Sequence, residues 1–273
     1  MMKRIILQSS VVLLLFLRGV PVHALEPLVL YDNFKGKVID PDKWVRGEFP
    51  GAGTDAAQEI KGNRLHMEYR AYGGTDSDTG LLTSALFLAT TTPAAITAMA
   101  TTVRVHKLEA TGCPTNPDFT RQRVGIQGAF FNTGTPTPGS AVNDVRALIA
   151  LRHHSTDPPD ELTAVSLVLQ CTDALCLTFS VIDSNTLGVV RRQEEVRLQV
   201  QWDPDNDQFL FQLDDEPIVV SSYAPRSDAA EPGRPFKILE ATHLVANCTT
   251  QPRPVGFWDV FFDDVFVNAS AVP

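Results

Sequence analysis

The sequence is short of the patterns that build most folds. No segment of three turns carries the i, i+3, i+4 apolar spacing of an amphipathic helix, which excludes helical bundles and alternating α/β architectures. Basic residues are outnumbered: 23 Lys and Arg stand against 32 Asp and Glu, a net charge of −9. Such an acidic surface repels phosphate backbones and anionic headgroups, so no nucleic-acid partner is expected. No Ser sits in a G-x-S-x-G elbow, so a nucleophile triad has no support. Repeats, low-complexity linkers and shifts in composition are absent as well, and nothing marks a second domain.

Long apolar runs are missing too, with one exception near the start. Lys3 and Arg4 precede an apolar stretch from Ile5 to Val20, and Val22-His23-Ala24 offers small residues where a signal peptidase reads. Residues 1–24 are therefore expected to be a cleaved signal peptide, and residues 25–273 a single β-sandwich domain. The uninterrupted apolar core, Val11 to Leu17, falls short of the roughly 20 residues that span a bilayer. The competing reading is an uncleaved anchor helix. Cleavage would remove three basic residues and no acid, leaving no membrane-inserting segment and a secreted or periplasmic protein.

Four cysteines remain: Cys113, Cys171, Cys176 and Cys248. An even number behind a leader reads as disulfides. Cys171 and Cys176 flank a polar turn between two strand-like runs, and opposed hairpin positions suit a bridge. They are expected to pair with each other, and Cys113 with Cys248.

What is abundant is two-residue alternation. Val196, Leu198, Val200 and Trp202 share one face of a run whose other face is Arg197, Gln199 and Gln201. Asp203-Pro204-Asp205-Asn206-Asp207 then turns the chain, and Phe209, Phe211 and Leu213 resume the pattern: a half-buried antiparallel hairpin. The Asp203-x-Asp205-x-Asp207 spacing opens an EF-hand loop, yet Gln208 and Asp214 stand where that loop needs Gly and Glu, so the turn is the preferred reading. Val124 to Phe131 and Val145 to Leu151 are apolar on both faces, as central strands or cleft-lining strands are. Further strands are expected over Leu28–Phe34, Arg64–Tyr69, Leu81–Leu88, Ile96–Leu108, Leu162–Gln170, Leu177–Ile182, Gly188–Arg192 and Val260–Val267. About a dozen strands without helices implies two packed antiparallel sheets.

Both ends of the mature chain resemble the concanavalin A-like lectin/glucanase jelly roll. Tyr31-Asp32-Asn33-Phe34 with Ile39-Asp40-Pro41-Asp42-Lys43-Trp44 is similar to that group's first strand and its D-P-x-K-W turn, and Phe262-Asp263-Asp264-Val265-Phe266-Val267 to its last strand. The resemblance implies an all-β, two-sheet antiparallel jelly-roll sandwich. It implies glycan chemistry far less firmly, since one fold hosts many activities. Glucanases of the group carry E-x-D-x-x-E on one strand, whose outer carboxylates act as nucleophile and acid. The matching strand here runs Asp144-Val-Arg-Ala-Leu-Ile-Ala-Leu-Arg-His-His; Arg146 replaces the central acid and Ile149 the second Glu. The dyad is absent. Enzymatic activity is left open, with the weight against it.

The resemblance also suggests one structural Ca2+ near the terminal strands, with Asp32 and Asp264 as side-chain candidates and backbone capping by Asp264 as the alternative. Arg146, Arg152 and His154 share a strand face, so they are candidate ligand-binding residues; a solvated or ion-paired face is the bland alternative. His153 points the other way, so the two histidines do not act as a pair. Trp258 would stack on a sugar or, preferably, fill the core. Asn247-Cys248-Thr249 and Asn268-Ala269-Ser270 are glycosylation sequons. Three functions stand: a non-catalytic module binding a polysaccharide or glycoprotein glycan on its concave sheet, a polysaccharide hydrolase or lyase with an unfamiliar site, and a structural or adhesive protein without a small ligand.

Overall fold

A computed structural model describes residues 25–49 and 54–271. The expected signal peptide lies outside the described residues. Within them the chain forms fifteen strands and three short 3-10 turns, with no α-helix. No described helix is long and apolar enough to cross a membrane.

One sheet contains β1 (Leu28–Asp32), β3 (Asp55–Lys61), β4 (Arg64–Tyr72), β6 (Ala98–Ala110), β11 (Glu195–Asp203), β12 (Gln208–Leu213), β13 (Val219–Ser222) and β15 (Val255–Asn268). Its order is β13-β12-β11-β6-β15-β4-β3, and β1 pairs with the last part of β15, beyond the stretch that β4 covers. The second sheet contains β2 (Trp44–Phe49), β5 (Leu81–Thr90), β7 (Arg121–Asn132), β8 (Asp144–His154), β9 (Glu161–Cys171), β10 (Phe179–Arg191) and β14 (Lys237–Ala246), in the order β10-β9-β8-β7-β14-β5-β2. Every pairing is antiparallel. The chain crosses repeatedly between sheets, and its first and last strands are neighbours. This is the two-sheet antiparallel sandwich that the alternation implied, with the jelly-roll arrangement that the resemblance implied.

Alternation decides what each strand buries. Val145, Ala147, Ile149 and Leu151 of β8 point inward and join Leu65, Met67, Val260 and Phe262 from the opposite sheet in one apolar core. One end of the sandwich is filled by rings: Phe131 stacks on Trp202 at 5.5 Å and lies 4.7 Å from Tyr223. Further along, Tyr69 and Trp258 flank His243, at 5.0 and 6.4 Å between ring centroids. His243 is fully enclosed, and burial pulls its pKa down to about 3.

Both disulfides form as expected, Cys171–Cys176 and Cys113–Cys248, with Cα separations of 4.8 and 5.5 Å. They fit an oxidising compartment. Asp203 to Asp207 is a hairpin turn: Asp203 Oδ2 accepts from the Asn206 and Gln208 side-chain amides, each at 2.8 Å, and Asp207 closes the turn with φ 52°.

Four strands depart from the sequence expectation. β2, β3 and β13 are short edge or near-edge elements with weak patterning. β14 is the consequential omission, because it lies inside the second sheet. Its run Lys237-Ile-Leu-Glu-Ala-Thr-His-Leu-Val-Ala shows no two-residue alternation of apolar and polar residues, because both of its faces are buried. Leu177–Ile182 and Gly188–Arg192 prove to be parts of one long strand, β10, whose pairing with β9 is offset by bulges at two places. The solvated face expected for β11 is covered instead: Gln199 and Gln201 are buried, and Gln201 Oε1 accepts the Glu26 amide at 2.8 Å. Asn268, in the second sequon, is also buried. Its side chain accepts the Thr97 and Ala98 amides and donates to Ala95 O and Ser270 Oγ.

Candidate functional site

The even-numbered residues of β8 face away from the core, onto the outer surface of the seven-stranded sheet. Strand register identifies their neighbours there. Arg121, Arg123, Gly125 and Gln127 of β7 stand opposite His154, Arg152, Ala150 and Leu148. On the other side of β7, Glu240 of β14 pairs with Gly125, with Ile238 beside Gln127 and Thr242 beside Arg123. Glu240 in turn pairs with Phe87 of β5, and Gly47 of β2 lies opposite Phe87. A groove of about 320 Å³ opens across these strands.

Glu240 forms the polar floor. It lies opposite Gly125, and Arg123 and Gln127, two residues either side of that glycine, converge on the carboxylate. A Cβ at Gly125 would stand 2.2 Å from the Ile149 carbonyl oxygen. Arg123 Nε lies 3.0 Å from Glu240 Oε1, an ion pair whose N–H is not aimed at the oxygen. Gln127, with its amide nitrogen turned toward Glu240 as the hydrogen-bond network demands, donates at 3.0 and 3.2 Å to the two oxygens. Glu240 is 3% exposed. A carboxylate so deeply placed requires these partners.

The walls are apolar. Phe49, Phe87, Phe236, Ile238, Leu175 and Leu177 line the groove. Leu175 and Leu177 project from the β9–β10 hairpin, whose tip is closed by the Cys171–Cys176 bridge and by Asp173. Asp173 accepts the Thr178 hydroxyl and the Thr178, Leu177 and Leu175 amides, which hold its carboxyl well below the usual carboxylate range.

The opposite wall depends on Asp144. This residue is wholly buried and accepts the Asn132 amide at 2.7 Å, the Gly233 N–H at 2.7 Å and the Arg234 N–H at 3.0 Å. Those bonds fix the loop that delivers Arg234, Pro235 and Phe236. Gly233 is required there, since a Cβ would come within 2.3 Å of the Ser140 carbonyl oxygen. Asp144 therefore holds structure, with its oxygens already committed. The second acid position of the glucanase pattern, Ile149, faces the core on this regular strand.

Of the three basic residues proposed on this face, Arg146 lines the groove. Its guanidinium rests 4.7 Å over the Phe236 ring, and its Nε is buried with no hydrogen-bond partner in the protein. Burial brings its pKa down to about 10, so it stays charged at neutral pH; Asp144 and Glu240 favour the charge, Arg234 and Arg123 oppose it. Arg152 and His154 are on the same face but outside the groove, Arg152 being roughly 20 Å further along the strand at strand rise. His154 packs on Phe119 at 4.8 Å, and burial first, then Arg152, lowers its pKa. Trp258 is fully buried between the sheets, the packing role preferred from the sequence.

Of the two metal candidates, Asp32 is hydrogen-bonded within the protein and Asp264 is exposed. Asp32 Oδ1 accepts the Phe34 N–H at 2.9 Å and Oδ2 the Trp44 Nε1–H at 2.7 Å. Asp264 is exposed at a bulge of β15 with φ 45°. Among the described residues, the one group of three ligand-type side chains is Asp78 with Cys113 and Cys248, whose sulfurs form a disulfide.

No family model and no curated protein matches the chain. Similar solved structures include LamAcat from Zobellia galactanivorans, with 11% identity and a TM-score of 0.47 over 88% of this chain and 97% of that one. Another is a glycoside hydrolase family 16 endo-glucanase from Bacteroides ovatus in complex with G4G3G-2F-DNP, with 8% identity and a TM-score of 0.47 over 86% and 98%. A third is the carbohydrate-binding module CBM66 from Bacillus subtilis, with 12% identity and a TM-score of 0.35 over 83% and 92%.

Proposed function

We propose that this is a secreted protein that binds a glycan in the groove on its seven-stranded sheet, without cleaving it. The observation carrying the reading is the groove itself: an open channel with aromatic walls and a fixed carboxylate–guanidinium–amide floor. Sugars are recognised by that combination, since ring faces stack on aromatics while hydroxyls bridge planar polar groups. Glu240 is the one carboxylate lining the groove among the described residues. Hydrolysis by paired carboxyls takes two, about 5–5.5 Å apart for retention and wider for inversion.

Calorimetric titration of the intact protein with oligosaccharides, alongside Glu240→Gln, tests this. The isosteric change keeps packing while removing the charge that orients Arg123 and Gln127. A loss of about tenfold in affinity is expected for one charge-assisted hydrogen-bond network disturbed. Binding that survives both Glu240→Gln and Phe236→Ala unchanged would refute the site. Release of new reducing ends from a bound polysaccharide would refute the non-catalytic part.

A further inference from the structure

The floor of the groove holds a charge imbalance that neutral sugars do not explain. Three guanidiniums line it, from Arg123, Arg146 and Arg234, against the single carboxylate of Glu240. Arg123 is matched by Glu240. Arg146 and Arg234 have no carboxylate within ion-pair distance among the described residues, and Arg146 keeps a buried Nε–H without a partner. This concentration of positive charge occurs on a chain of net charge −9. Arg146 is half-buried against Phe236, and a half-buried guanidinium without a charged partner is costly to hold in place. The other charged carboxylate nearby, Asp144, is consumed by backbone amides on the loop that positions Arg234.

From this geometry we infer that the ligand is an acidic glycan, whose carboxylate or sulfate is gripped between Arg146 and Arg234. The inference rests on the glycan reading above and sharpens it. Arg146 is held by the Phe236 ring on one side and by its own strand on the other, so its fork meets an anion preorganised. Arg234, on the loop tethered by Asp144, is exposed and closes on the same anion from the rim. Uronates and sulfated sugars share this chemistry, and geometry at the oxygen distinguishes them: a planar carboxylate suits one bidentate fork, a tetrahedral sulfate two separate ones.

The experiment titrates the protein with three probes at matched length: an oligogalacturonate, a sulfated galactan oligosaccharide and a neutral β-glucan oligosaccharide. One of the acidic probes is expected to bind at least tenfold tighter than the neutral one, with affinity falling as salt rises. Arg146→Gln and Arg234→Gln should each cost that probe about tenfold or more, while Arg152→Gln, outside the groove on the same face, should change it less than twofold. Unaltered thermal unfolding of each variant shows that loss of affinity is not loss of fold. Neutral glucan binding as tightly as either acid, insensitive to both groove substitutions, would overturn the acidic assignment and leave the glycan reading standing. Silence toward all three probes, with dodecanoate binding instead, would overturn both and make the groove a site for an acidic amphiphile.

Discussion

Replacing Asp144 by alanine offers the sharpest check on how the groove is built. Its carboxylate is wholly enclosed and accepts three N–H groups within 3.0 Å, two of them backbone amides of the groove-wall loop. Hydrogen bonds to a charged acceptor contribute about 1.5–3 kcal/mol each, but the loop amides regain some solvation when released, so a total near 3 kcal/mol is expected. For a chain of this size each kcal/mol moves Tm by roughly 2–4 °C, giving a fall of about 6–12 °C. Asp144→Asn, which keeps one acceptor oxygen, should fall about half as far. Hydrogen exchange supplies the local readout. The Gly233 and Arg234 amides should lose protection in Asp144→Ala, whereas amides in the middle of β15 should follow only the global loss. The clamp would be refuted by a Tm fall below 2 °C together with unchanged protection at Gly233 and Arg234.

Two further outcomes follow from the covalent and titratable groups. Removing Cys113–Cys248, which closes a sequence separation of 135, should cost about 5 kcal/mol, and removing Cys171–Cys176, separation 5, about 2 kcal/mol, on loop-entropy grounds; denaturant midpoints of the paired Cys→Ser variants would show the order, and a reversed order would contradict it. His243 has a folded-state pKa near 3 against an ordinary 6.5, so the unfolded chain binds the extra proton between those values. Its stabilising contribution is complete above pH 6.5 and declines as pH falls toward 3, by up to about 1.4 kcal/mol per unit. Relative to wild type, the His243→Gln variant should show a flatter fall of stability over that window, and parallel curves would show that the ring is not the titrating group.

Alternation carried most of the architecture into the sequence. β7 and β8 were legible as doubly apolar strands, one face for the core and one for a cleft, and the cysteine spacing matched both bridges. β14 was not legible, because Lys237-Ile-Leu-Glu-Ala-Thr-His lacks the two-residue alternation that signals a half-buried strand and takes its conformation from neighbours on both sides. With β14 went Glu240. The available signal was a lone acid within a mostly apolar run, a position that only a paired or functional carboxylate tolerates. Arg146 was visible by its face alone, but its separation from Arg152 and His154 depended on where the loop tethered by Asp144 and the bridged hairpin tip close over the sheet. Those are long-range contacts, and periodicity does not encode them.

The bulges in β10 shape the free rim of its sheet. β10 is the outermost strand of its sheet, and its free rim exposes Phe179, Val181 and Val189. A straight rim of that kind would invite another chain to extend the sheet indefinitely. Each bulge breaks the regular spacing of free N–H and C=O groups and turns the strand, so a visiting strand finds only a few consecutive partners before the rail bends away. The irregularity that divides this strand's pattern in the sequence thus leaves its rim a poor template for a further strand.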